Sequence, residues 1–197
     1  MSTYLQYNNH MILHPTDSSK YLYGIAGESP TPSFDEVTIG SQTWMAKNLS
    51  IDDGQGGILT QIVNYGEVSV TQYYYTWDAA VRVAASIDGW HLPTMDEWNT
   101  LITTAGGASV AGGKLKSTYG WYNGGNGTDN FRFTALPTGK HTNDGFENAN
   151  NNTNFWSATP HDSMVSGSVE MTYYLYRVEI GQDRNEWMLS VRLVKGG

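Results

Sequence analysis

The sequence predicts an α+β domain. Three observations carry that reading: a capped amphipathic helix near residue 95, period-two alternation towards both ends of the chain, and a long polar middle. The helix is the clearest signal. Residues 89–102 read Gly-Trp-His-Leu-Pro-Thr-Met-Asp-Glu-Trp-Asn-Thr-Leu-Ile. Thr94 and Glu97 have the spacing of a capping box, in which each side chain satisfies the other residue's backbone N–H. Pro93 stands just outside, where its missing N–H does no harm. Met95, Trp98, Leu101 and Ile102 then share one helical face, and Gly106-Gly107 ends the run. These residues read as scaffold.

The remaining elements follow in order. Residues 1–24 alternate weakly (Tyr4, Gln6; Met11, Leu13; Tyr21, Tyr23) and read as two or three short strands. Residues 24–33, with Gly27, Pro30 and Pro32, read as a linker, which divides the chain into a 1–33 arm and a 34–197 domain. The arm is too small to own a core. It is expected to mediate attachment or self-association, or else to form an edge ribbon on the main domain. Residues 37–49 form a hairpin turning at Gly40-Ser41. Residues 52–72 read as a Gly-rich loop. A first helix spans 75–85, with Thr76 as N-cap and Trp77, Ala80, Val81 and Ala84 behind it. Residues 106–154, rich in Gly, Asn, Thr and Asp, read as structured functional loops. Residues 155–159 make a short strand, and 173–180 and 187–194 a hairpin joined at 181–185. In that hairpin Tyr174 and Tyr176 alternate with the apolar set and are expected in the core, whereas Tyr173, Arg177 and Trp187 are expected at the surface.

Composition excludes several functions. The 197 residues contain no cysteine, which removes disulfides, thiol nucleophiles and Cys-ligated metals. A formal charge of −8 argues against nucleic acid as a partner. No window approaches the roughly 18 apolar residues of a membrane span. The first ten residues show neither a basic nor an apolar signal-peptide region, so no leader is expected. His10, His14, His91, His141 and His161 stand in no nucleophile or metal-ligand spacing, and no enzyme is expected. No cofactor is expected either. A structural Ca²⁺ held by oxygens of loops 126–130 or 143–147 stays open beside the plainer reading of those loops as turns.

Five blocks together resemble one family: residues 42–49 (Gln-Thr-Trp-Met-Ala-Lys-Asn-Leu), 74–80 (Tyr-Tyr-Thr-Trp-Asp-Ala-Ala), 89–98, 133–139 (Phe-Thr-Ala-Leu-Pro-Thr-Gly), and 155–159 (Phe-Trp-Ser-Ala-Thr) with 190–194 (Ser-Val-Arg-Leu-Val). In this order they look like the Fibrobacter succinogenes major paralogous domain, common in gut Bacteroidetes, over about residues 36–195. That family is similar to the formylglycine-generating (sulfatase-modifying) proteins. The resemblance implies a C-type-lectin-like fold, with a twisted antiparallel sheet, two helices and long loops. It also implies structural roles for Trp44, Trp90, Thr94, Glu97, Trp98, Trp156 and Arg192. The formylglycine-generating oxidase depends on a cysteine pair that this chain lacks. Variable proteins of diversity-generating retroelements, often displayed on phage tails, also resemble this pattern, and randomise residues between a Trp-Ser-Ala and a Ser-Val-Arg block. Here that span is 161–188, although Trp187-Met188-Leu189 departs from the usual Gly-aromatic pair. A leaderless start fits a virion protein; with a leader removed, a bacterial cell surface fits.

Binding is therefore the expected function. Residues 161–174 carry the Tyr, Ser, Gly and Met mixture of adaptable recognition surfaces. The candidate contacts are His161, Asp162, Ser163, Met164, Glu170, Tyr173, Arg177, Asp183, Arg184, Asn185, Glu186 and Trp187, gathered into one patch that binds a cell-surface protein or glycan. The alternatives are a structural subunit of a fimbria or virion, or a degenerate enzyme of the formylglycine-generating lineage.

Overall fold

A computed structural model describes residues 32–196, together with the strand backbones of 4–7 and 10–13. Contacts divide the chain into Met1–Pro32 and Ser33–Gly197. In the first unit β1 (Tyr4–Tyr7) and β2 (His10–Leu13) pair antiparallel, as the alternation at Tyr4 and Met11 predicts. Tyr21, Tyr23 and most of the 24–33 linker lie outside the described residues.

The second unit is mixed α+β, with antiparallel sheets and three helices among the described residues. β3 (Glu36–Ile39) and β4 (Gln42–Met45) form the expected hairpin. β4 also pairs with β13 (Val194–Lys195), which in turn pairs with β7 (Trp90–His91), so the last strand of this unit completes a sheet begun by its first hairpin. Residues 52–72 are not a loop throughout. β5 (Ile58–Tyr65) and β6 (Val68–Tyr75) make a long hairpin turned at Gly66-Glu67. The sequence hid it because apolar Leu59, Ile62 and Val68 stay exposed, so apolar character does not report the buried face; Val63, Tyr65, Gln72, Tyr74 and Tyr75 are its buried residues.

Helix α1 (Trp77–Ala85) is capped by the Thr76 hydroxyl, which accepts from Ala79 N–H. Helix α2 (Met95–Thr104) carries the complete capping box and buries Trp98, Leu101 and Ile102. The expectation of two helices is corrected by α3 (Ala108–Leu115). Gly112 and Gly113 mask its helical propensity. Tertiary packing requires them: a Cβ at Gly112 would lie 2.6 Å from Arg177 O, and one at Gly113 2.6 Å from the Tyr176 ring.

The C-terminal third differs most from expectation. β10 (Asn152–Pro160), β11 (Val165–Thr172) and β12 (Glu179–Arg184) form one antiparallel sheet in that order, with β8 (Lys140–Thr142) and β9 (Gly145–Glu147) a separate hairpin. Residues 173–178 are the connection between β11 and β12 rather than a strand. Residues 187–193 thread the core instead of pairing with 173–180. Leu189 exchanges backbone hydrogen bonds with Tyr75 (2.9 and 3.0 Å), and the carbonyls of Ser190, Val191 and Leu193 accept from Trp156, Leu49 and Met45. Because Leu189 to Leu193 are buried without interruption, their alternation reports no solvent face.

Two clusters make the core. One gathers Trp44, Trp98, Phe133 and Phe155, with the Trp44 and Trp98 rings 4.8 Å apart. The other packs α1 against Tyr75, Trp156, Leu189 and Leu193. They are joined by a polar edge, Trp98 Nε1 donating to Trp156 O, while Trp156 Nε1 donates to Tyr75 O within the second cluster.

Candidate recognition face

The strand register separates the expected patch into parts. Val165 lies opposite Arg184, and Glu170 opposite Glu179. Five residues along β11 span about 17 Å at about 3.4 Å each. His161 to Met164 and Arg184 to Glu186 therefore meet at one end of the sheet, while Glu170 and Tyr173 stand at the other.

The first end is a rim built on the β10–β11 turn. Asp162 Oδ1 accepts from the N–H groups of Met164 (2.7 Å) and Val165 (3.0 Å), and these two bonds hold its pKa below the ordinary carboxylate value. Asn185 N–H donates to Met164 O at 2.8 Å, tying the turn to the end of β12. The turn backbone is thus fixed, with the Asp162 carboxylate as one of its anchors. His161, Asp162 and Ser163 are exposed, and Met164 is 66% exposed. Ser163, Met164, Arg184, Asn185 and Glu186 border a shallow depression of about 340 Å³, closed on its far side by Thr76 and Asp78 at the start of α1. Arg184 Nη1 and Glu186 Oε1 are 3.4 Å apart, a loose and exposed pair.

Several expected contacts sit elsewhere. Asp183 is buried, where it accepts from Lys140 Nζ (2.9 Å) and Ser168 Oγ (2.7 Å). Trp187 is half-buried beneath Lys140, whose ammonium lies 4.6 Å from its ring centroid. Both hold the rim from behind. Arg177 is exposed but pairs with Glu179 at 2.5 Å and lines neither end. The expectations for the tyrosines are reversed: Tyr174 and Tyr176 are 67% and 71% exposed, whereas Tyr173 is half-buried. The cause is that residues 173–178 form a turn, so alternation there does not set the faces.

At the second end Glu170 and Tyr173 border a cleft with Tyr122, Tyr174 and the run 148–152. The sequence marks that run only as part of the functional loops of 106–154 and singles out none of its residues. Its Asn-Ala-Asn-Asn-Asn composition next to aromatic residues was the available signal.

The structural candidates occupy the frame. Trp44, Trp98, Trp156 and Arg192 are fully buried, Trp90 nearly so, and Thr94 and Glu97 cap α2. His91 Nε2 lies 2.6 Å from Glu97 Oε1. The acidic loops serve turns: Asp129 accepts from Thr134 N–H and Oγ1, and Glu147 from Thr142 Oγ1. Among the described residues no three His, Cys, Asp or Glu side chains gather as metal ligands, and no helix is long and apolar enough to cross a membrane.

The frame and its motifs define a class. The family model described as the Fibrobacter succinogenes major domain matches residues 37–195, and the chain belongs to that family. No curated protein and no solved structure matches the chain.

Proposed function

We propose that the domain is a non-enzymatic recognition module of C-type-lectin-like fold that binds a cell-surface protein or glycan through the rim at residues 161–164 and 184–186. The observation that carries this reading is Met164. Its side chain, 66% exposed at the tip of a turn pinned by three hydrogen bonds, is held at the surface beside Arg184, Asn185 and Glu186, an apolar point within a polar border of the kind macromolecular contacts use. Its thioether is soft and adaptable, and the neighbouring serine, asparagine and arginine add hydrogen bonds. Behind the rim, Asp183 is held by Lys140 and Ser168.

Retroelement diversification would fit this geometry, because the exposed side chains of Ser163, Met164, Arg184 and Glu186 can change without disturbing the buried Ser166, Ser168 and Asp183 behind them. A virion or cell-surface setting follows from the same reading. The test is display of the tetramerised domain to intact bacterial and epithelial cells and immobilised glycans, comparing wild type with Met164→Ala/Arg184→Ala. Selective loss in the variant supports the rim, and equal binding removes it.

One observation favours a structural subunit as a second reading. Leu59, Ile62 and Val68 are exposed on the β5–β6 hairpin, Ile62 to 66%. Light scattering of wild type and Ile62→Lys tests it: an oligomer broken by the lysine supports it, and a monomer in both opposes it.

A further inference from the structure

The cleft at the far end of β11 has chemistry of its own. It is open, with a volume of about 620 Å³, within the range of small-ligand sites. One wall is aromatic. Tyr122 and Tyr174 are 59% and 67% exposed and stand edge-on to Tyr173 between them, at 5.3 and 5.1 Å. Exposed rings are a liability in water unless something covers them. Their backbones are fixed: Tyr122 N–H donates to Asn150 O at 2.8 Å, and Tyr173 N–H to Asn151 O at 2.7 Å. Gly125 lets the two loops touch, since a Cβ there would lie 2.1 Å from Tyr173 O.

The other wall is polar. Glu170 Oε1 accepts from Asn152 Nδ2 at 2.7 Å. Asn150 Oδ1, Asn152 Oδ1 and Thr172 Oγ1 have no hydrogen-bond partner among the described residues, and Thr172 is only 7% exposed. Buried polar atoms without partners carry a desolvation cost that a bound polar ligand relieves. Asn148 and Asn150 hold left-handed φ values of 61° and 70°, a conformation that asparagine tolerates and that often marks ligand-binding loops.

Charge and group type narrow the ligand. No lysine or arginine lines the cleft, so phosphate, sulfate and acidic sugars find no counter-charge. Amides both donate and accept, which matches the double character of a hydroxyl group, and a tyrosine face matches the C–H face of a sugar ring. We infer that this cleft is a second binding site, for a neutral saccharide that stacks on Tyr174 or Tyr122 and exchanges hydrogen bonds with Asn150, Asn152 and Glu170. The site shares no residue with the rim, and its failure would leave the rim reading standing.

The experiment is an amide NMR titration of the full chain with the methyl glycosides of glucose, galactose, mannose and N-acetylglucosamine, with sialyllactose and inorganic phosphate as anionic comparisons. At least one neutral glycoside is expected to give saturable shifts at residues 122–125, 150–152 and 172–174. Its affinity should fall at least about tenfold in Tyr174→Ala and in Asn152→Ala, and stay unchanged in Val81→Ala, an exposed position on α1 outside both sites. Tyr174 is exposed enough that its alanine variant keeps the fold. The inference is overturned if no neutral glycoside gives saturable shifts, if only the anionic probes do, or if Tyr174→Ala binds as wild type.

Discussion

Asn48 Oδ1 accepts two hydrogen bonds from one guanidinium, at 3.2 Å from Arg192 Nε and 2.7 Å from Arg192 Nη2. The remaining donors of Arg192 reach carbonyls of Met45 (3.0 Å), Phe133 (2.5 Å) and Thr134 (3.5 Å). Its plane lies 4.3 Å from the Phe133 centroid. Three segments distant in sequence are thus tied by one buried cation whose nearest partners are neutral oxygens. Burial pulls its pKa down to about 9. A planar fork of five donors fits this cage, and a lysine does not.

Replacing Arg192 with Met leaves Asn48 and three carbonyls without a donor. The expected cost is about 3–5 kcal/mol, and Asn48→Ala should cost about 1–3 kcal/mol. Urea unfolding midpoints measure both. Arg192→Lys should recover little of the loss.

Thr94→Ala removes one half of the capping box and should cost about 1 kcal/mol. It should also change the acid limb. Burial raises the Glu97 pKa, but hydrogen bonds from Thr94 N–H, His91 and the Thr94 hydroxyl outweigh it, and the net shift is downward from 4.5. A carboxylate with a depressed folded pKa gives stability that is present above its unfolded value and lost as pH falls through the folded one. Thermal melts taken from neutral pH into the carboxylate range should show a smaller acid loss in Thr94→Ala than in wild type.

Lys116 makes the opposite kind of prediction. Its ammonium is buried against the Trp121 ring and donates to Thr172 O (3.0 Å) and Leu175 O (3.1 Å), and burial lowers its pKa from 10.5 to about 8. Between those values the unfolded chain holds more protons, so stability should rise as pH rises through that window. Burial raises the pKa values of Tyr65, Tyr74 and Tyr75 above 10.0, so the folded chain keeps protons that the unfolded chain loses, and stability should fall at higher pH. Urea midpoints across this range should pass through a maximum. In Lys116→Met the rise should vanish and the fall remain.

Local chemistry explains what was legible in the sequence. Thr94 and Glu97 sit three residues apart, and their cap is complete within one turn, so nothing distant has to be known. The hairpin at Gly40 is equally local. By contrast, Gly112 and Gly113 look like helix breakers until the close approach of Arg177 O and the Tyr176 ring is seen. Tyr174 and Tyr176 alternate with Val178 by chance, because a turn of six residues carries no face. The rim was legible as composition, since Ser163 and Met164 are contiguous. The cleft was not, because Tyr122, Asn150 and Tyr174 come together only through the packing of three loops.

If the chain is diversified by a retroelement, variation should follow exposure. Resequencing the locus from many isolates should place substitutions at 161–164, 184 and 186, with Ser166, Ser168, Val169, Met171, Val178 and Asp183 held. Changes spread evenly along the gene would contradict diversification at this face.

The most direct test of the central claim is a binding comparison of three proteins on the same ligand-positive cells or glycans: wild type, Met164→Ala/Arg184→Ala, and Arg177→Ala. Arg177 is exposed and paired with Glu179 but lies off the rim, so it controls for the general loss of a surface arginine. With melting temperatures equal, the rim variant should lose at least about tenfold in affinity while Arg177→Ala binds as wild type. Undiminished binding by the rim variant, or an equal loss in Arg177→Ala, would contradict recognition through the rim.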